Sequence, residues 1–202
     1  MYGILKNSTN TGSADELASV FAAPLSITSN QPEFSSDTMS LLRVVSFQGV
    51  QRWEVEAEIM PVSTTPEHLI QSVLLGGHSS AYVRMPQTVH QEFSVECSVM
   101  DNAVANSGKI NVVGISPTRG SFIRFANHNK VYIVVDSTEI AGGFELSVYP
   151  TLRKAVPANT IVQYGKRVTA RMKFDTSSIR GIKYQDGILA SPGTIKLIED
   201  LK

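Results

Sequence analysis

Along residues 52–59 apolar and charged side chains alternate without a break. Trp53, Val55, Ala57 and Ile59 take one face, and Arg52, Glu54, Glu56 and Glu58 take the other. A period of two is the signature of a strand with one buried face. The same alternation returns at 167–174, where Val168, Ala170, Met172 and Phe174 oppose Arg167, Thr169, Arg171 and Lys173. Met39 to Phe47 is apolar and rich in β-branched and aromatic residues, and Gln48-Gly49 marks a turn after it. Ala81 to Met85 reads as a short strand ended by Pro86, and Thr194 to Leu201 as a closing one.

Residues 92–165 follow a different rhythm. Short strands are expected at 93–99, 110–115, 121–126, 130–136, 144–149 and 160–164. Asn106-Ser107-Gly108, Ser116-Pro117, Arg119-Gly120, Asn127 to Asn129, Gly142-Gly143 and Pro150 punctuate them. Closely spaced short strands with Gly and Pro turns suggest a small barrel.

Helical signals are few. Residues 14–23 carry Ser13 as an N-cap and Glu16 at the third helical position, and Pro24 would end a helix there. Residues 66–75 have Thr65 as an N-cap, Pro66 at the first position and an apolar stripe of Leu69, Ile70, Val73 and Leu74. The remainder of 1–38 reads as an extended arm. The expected class is mainly β with one or two short helices.

Charge changes this picture in one respect. Of 202 residues, 42% are hydrophobic and 18% charged, with 18 Lys plus Arg against 18 Asp plus Glu. A chain short of charge and with no net charge tends to self-associate. The balance also lacks the basic excess of a dedicated duplex-DNA binder. The lone Cys97 excludes an intrachain disulfide and fits folding in a reducing compartment. The first residues lack the apolar run of a signal peptide, and Leu17 to Leu25 is too short and interrupted to cross a bilayer, so no membrane is expected.

No phosphate loop, dinucleotide fingerprint, nucleophile elbow or zinc motif occurs. His68, His78, His90 and His128 are scattered, and a lone His is more often structural than a ligand. Cys97 within an apolar strand reads as an inert thiol. The Glu row lacks an acid or His partner for catalysis. The chain is therefore expected not to be an enzyme and to need no cofactor or metal. Phe122, Phe125, Tyr132, Phe144 and Tyr149 suit either a barrel core or a stacking platform for sugars or single-stranded nucleic acid.

In residues 120–153, GSFIRFANHNKVYIVVDSTEIAGGFELSVYPTLR has a characteristic order: a strand, a KVY strand, a glycine turn and a strand ending in YP. It resembles the inserted domain of the distal tail proteins of long-tailed bacteriophages. RVTARMKFDTSSIRGIKYQDGILASPGTIKLIEDL is similar to their closing segment. VVSFQGVQRWEVEAEIMPV followed by PEHLIQSVLL is similar to their strand, turn, aromatic strand and helix. The resemblance covers about 39–201.

The resemblance implies a split β-sandwich-like ring domain, residues 1–90 and 167–202 with 1–38 as an N-terminal arm. Residues 92–165 would be an inserted small OB-like barrel. It implies a structural virion protein whose six copies form a ring joining the tail tube to the tail tip or baseplate. The partners implied are tail tube protein, baseplate hub, and collar or fibre proteins, with DNA passing through the lumen without specific binding. The chain would be assembled in the bacterial cytoplasm and reside in the virion. Glu54, Glu56, Glu58, Arg167, Arg171 and Lys173 are the candidate subunit-contact or lumen residues. Their rows have three open readings: two independent solvated faces, neighbours in one sheet or across a subunit contact, and, for the Glu row, the lumen. The alternative function is a carbohydrate- or single-strand-binding module using the small barrel.

Overall fold

The computed structural model describes residues 2–37, 43–47, 50–62, 80–87, 96–175, 183–185, 188–191 and 193–202. In chain order the strands are β1 (Gly3–Leu5), β2 (Leu17–Phe21), β3 (Ser26–Asn30), β4 (Glu33–Asp37), β5 (Arg43–Phe47), β6 (Arg52–Pro61), β7 (Ser80–Arg84), β8 (Ser98–Val99), β9 (Lys109–Val113), β10 (Phe122–Phe125), β11 (Val131–Ile140), β12 (Gly143–Tyr149), β13 (Val162–Gln163), β14 (Thr169–Phe174), β15 (Lys183–Gln185), β16 (Ile188–Ser191) and β17 (Thr194–Glu199). The fold is mainly β, and the helical content of the described residues is two single 3-10 turns, Ala14–Glu16 and Gly165–Arg167.

The alternation at 52–59 makes β6 the organising strand of the first sheet. Its apolar face is sealed: Trp53, Val55, Ala57 and Ile59 are all buried. The strand order is β17-β14-β7-β1-β2-β6-β3, and β17 pairs with β6 as well, so six strands close on themselves. For those six strands closure removes the sheet edges that would otherwise template aggregation, while β3 stands at the end of the strand order. β2 and β3 follow one another along the same side of β6. Phe21 pairs with Ile59 and Ser26 with Glu56, so residues 22–25 bow out where β6 has only Ala57 and Glu58 between.

The second sheet runs β13-β10-β11-β12-β9-β8. A bridge between Ser98 and Ile161, with Val162 N–H donating to Cys97 O at 2.8 Å, joins its first and last strands. It too is a closed barrel. Its core holds Tyr132, Tyr164, Phe125, Leu146, Leu152 and Ile123, all essentially inaccessible. Burying a large apolar side chain stabilises by about 1.5–3 kcal/mol. The pairing of β11 with β12 shifts between Val134 and Asp136, a bulge that turns Val135 outward and leaves it 51% exposed. Glycine is required at 114: at φ +99° a Cβ would lie 2.1 Å from Glu96 O.

Two expectations for the N-terminal region are corrected. Residues 14–23 are not a helix: one 3-10 turn at 14–16 passes directly into β2. Ser13 does cap, accepting the Asp15 N–H, but Glu16 does not reach back to it. Its carboxylate instead takes the Thr11 N–H and hydroxyl and the Arg84 guanidinium. Leu17 and Ala18 are then buried in the strand, which outweighs a weak local helix preference. Nor is the stretch before residue 38 only an arm, since β1, β2 and β3 are members of the first sheet. The helix expected over 66–75, and His68, His78 and His90, lie outside the described residues.

The two barrels share a buried seam. Phe122, Val131 and Ile133 from β10 and β11 pack into the first core. The Trp53 indole N–H donates to Val131 O at 2.8 Å, and its ring meets Phe122 edge-on at 5.5 Å. Beside it Lys130 Nζ lies 2.6 Å from Glu199 Oε2 and donates to Gln51 Oε1 at 2.6 Å. Glu199 also accepts the backbone N–H groups of Trp53 and Val131. Both charges of the ion pair thus have further hydrogen-bond partners, the condition under which a buried charge is tolerated.

Candidate assembly surface

The six candidate residues fall on two strands of the first barrel and the turn before one of them. Glu54, Glu56 and Glu58 lie on β6; Arg171 and Lys173 lie on β14; Arg167 ends the 3-10 turn before β14. The acidic and basic rows share one sheet without being neighbours, because β17 runs between them. β17 pairs Lys196 opposite Glu56 and Ile198 opposite Glu54, while its other side places Ile198 opposite Lys173.

The intervening strand and its continuation supply the counter-charges. Lys196 Nζ contacts Glu54 Oε2 at 2.7 Å. Asp200, one residue past β17, meets Arg171 Nε at 3.2 Å and Lys173 Nζ at 3.4 Å, and accepts the Ser80 hydroxyl at 2.8 Å. Within one chain the two rows therefore do not pair with each other, because Lys196 and Asp200 lie between them and take their charges. Opposite charges across a ladder contribute roughly 0.2–1 kcal/mol per pair.

Glu54 is buried although it is on the polar side. Arg52 at 3.0 Å and the Asn30 amide at 2.7 Å cover it together with Lys196. Burial alone would raise its pKa; the bonds from Lys196 and Asn30 and the charges of Lys196 and Arg52 outweigh that and lower it. Asp200 is lowered for the same reason: burial opposes its charge, but the Ser80 hydroxyl, the Lys202 N–H and Lys173 prevail. Glu56 and Glu58 differ from Glu54 in being exposed. The face is therefore acidic at β6, mixed at β17 and basic at β14.

Other candidate groups are taken up by structure. Cys97 is fully buried, and burial pushes its thiol up to about 12. Phe125 and Tyr132 are core residues, Phe122 is nearly so, and Phe144 packs against the second core. Tyr149 leans on Trp53, and its hydroxyl bonds Ser29 and Gln31 across the seam. His128 sits in a closed hydrogen-bond chain with Asn127 Oδ1 at 2.7 Å and the Tyr132 hydroxyl at 2.8 Å. Among the described residues no group of three His, Cys, Asp or Glu side chains is placed to hold a metal ion, and no helix is long and apolar enough to cross a membrane.

Compared with known proteins, the chain matches no family model and no curated sequence.

Proposed function

We propose that this chain is a structural virion protein that assembles head to tail into a ring. By its resemblance to distal tail proteins, the ring would have six copies and join a phage tail tube to the tail tip or baseplate, with DNA passing through. The observation that carries this reading is the polarised outer face of the first barrel. Exposed Glu56 and Glu58 stand on one side of β17, and Arg171 and Lys173 on the other. A surface acidic at one flank and basic at the other is complementary to a copy of itself displaced sideways, and such a heterologous contact repeats until the rotation closes. The absence of net charge removes a general repulsion that would oppose packing of copies.

The alternative of a sugar- or single-strand-binding barrel needs several accessible rings side by side; of the five candidates Phe122, Phe125 and Tyr132 are buried and Phe144 packs against the core, which leaves Tyr149 as the exposed one. The test of the ring reading is charge reversal. Glu56→Lys with Glu58→Lys should leave the single chain folded, with its stability lowered by no more than about 1 kcal/mol through the lost pairing of Glu56 with Lys196. The same pair should abolish higher-order assembly in sedimentation velocity. Assembly equal to wild type would remove the charged face from the account.

A further inference from the structure

Where the barrels meet, a cleft of about 220 Å³ opens between the loop 126–130, residues Arg153 and Lys154, and the segment Leu201–Lys202. Its walls carry Lys130, Arg153, Lys154 and Lys202 and no carboxylate side chain. Elsewhere the described cations are repeatedly matched: Arg52 and Lys196 to Glu54, Arg84 to Glu16, Lys109 to Glu145, Arg119 to Asp136, Arg171 and Lys173 to Asp200. In the cleft, among the described residues, only Lys130 has such a partner, the buried Glu199. Arg153 and Lys154 are exposed and form no ion pair among the described residues. In a chain whose charges balance, this is a local excess of positive charge gathered around a concave space.

The scaffold beneath is fixed. The Arg153 N–H donates to the Tyr132 hydroxyl at 3.0 Å, that hydroxyl meets His128 Nε2, and His128 Nδ1 meets Asn127 Oδ1. The Asn127 amide is held by Ala155 O, and the Asn129 amide by Lys202 O. These polar groups are occupied by one another, so the donors left to face an incoming group are the Arg153 guanidinium and the Lys154 and Lys202 ammonium groups. We propose that this cleft is a binding site for a phosphate group, gripped by Arg153 with Lys154 and Lys202 on the rim. Arg presents a planar fork that matches a phosphate edge, and two lysines complete neutralisation of its second charge. The proposal is independent of the ring reading.

His128 supplies a reporter inside the site. Burial and the charges of Lys154, Arg124, Arg153 and Lys130 hold its pKa down to about 4. A bound phosphate anion, singly charged at the pH where His128 titrates, offsets part of that cationic field and lifts the value toward the ordinary 6.5.

The whole chain is titrated with sodium phosphate, with a short single-stranded oligothymidylate, and with sodium chloride at matched ionic strength, followed by amide and His128 ring NMR signals. Phosphate is expected to shift the amides of 126–130, 153–154 and 201–202 and to raise the His128 midpoint by about one unit. Arg153→Gln with Lys154→Gln is expected to weaken binding at least about tenfold. Lys109→Gln, which removes a paired cation on the same barrel, should leave it unchanged. Tighter binding of the oligonucleotide than of free phosphate, lost in the same double variant, also supports the site and assigns the phosphate to a nucleic-acid backbone. The proposal is overturned if chloride reproduces the shifts, if neither phosphate probe moves these signals at tens of millimolar, or if the double variant, folded by its spectrum, binds as wild type does.

Discussion

The two barrels solve the same closure problem in opposite ways. The second is continuous in sequence, from Cys97 to Tyr164, and its core is filled by its own strands. The first is assembled from separated stretches: β1 to β3, β6, β7, and β14 with β17. Its core also borrows Phe122 and Val131 from the other barrel. Polar chemistry divides along the same line. The first barrel carries paired charges on its outer face, at Glu54 and Asp200, while the second concentrates its unmatched cations beside the seam. A continuous barrel closes with short loops, whereas a split one must bring distant segments together before any contact rewards it. The seam is therefore the place where the two can be uncoupled.

The largest effect is expected there. Glu199→Gln leaves Lys130 buried without a counter-charge and should cost about 4 kcal/mol, read from denaturant unfolding. Lys130→Met added to it should recover much of the loss, since the unpaired charge is then gone. A single unfolding transition in both variants would keep the barrels coupled; two transitions would show that the seam is what couples them.

Next is Leu146→Ala in the second core, expected to cost about 3 kcal/mol. Hydrogen exchange should show the lost protection concentrated in residues 96–164, with the strands of the first barrel less affected. Equal loss throughout would dissolve the distinction drawn above.

Acid should separate the barrels more gently. His128 is neutral in the folded chain down to about 4, whereas an unfolded His protonates near 6.5. Between these values the unfolded state binds more protons, so stability falls as pH falls. Discounted for the partial exposure of the ring, the loss is about 1–2 kcal/mol. His128→Gln should flatten that slope in a pH series of thermal melts. Glu54 and Asp200 have pKa values below their ordinary 4.5 and 3.8, so their contribution is present above those values and is lost only as pH falls through the lower folded ones. The first barrel's outer pairs thus outlast the His128 window. The smallest effect is expected from Arg119→Ala, whose pair with Asp136 is open to solvent, and its melting temperature should match wild type.

The strands with strict alternation were legible because burial on one face imposes a period of two. β6 and β14 carry that pattern in their own residues, and the inward rows Trp53 to Ile59 and Val168 to Met172 are buried as it implies. β2 was not legible. LASVF is short, and the Ser13 and Glu16 signals before it are those of a helix start; only pairing with the distant β6 and β1 makes it a strand. The candidate surface was half legible. Its acidic and basic rows could be read from alternation, but Lys196 and Asp200, which lie between and satisfy them, are isolated charges whose partners are 142 and 29 positions away at Glu54 and Arg171. The cleft was invisible for a similar reason, since the turn at Asn127–Asn129, Arg153-Lys154 and Lys202 come from three places in the chain.

The most direct test of the central claim is native mass spectrometry of the wild-type chain across a concentration series. The account predicts that one closed species of six chain masses grows in as concentration rises, without a ladder of larger open forms. A chain that stays monomeric at every concentration, or that extends into open polymers of no fixed size, would contradict it.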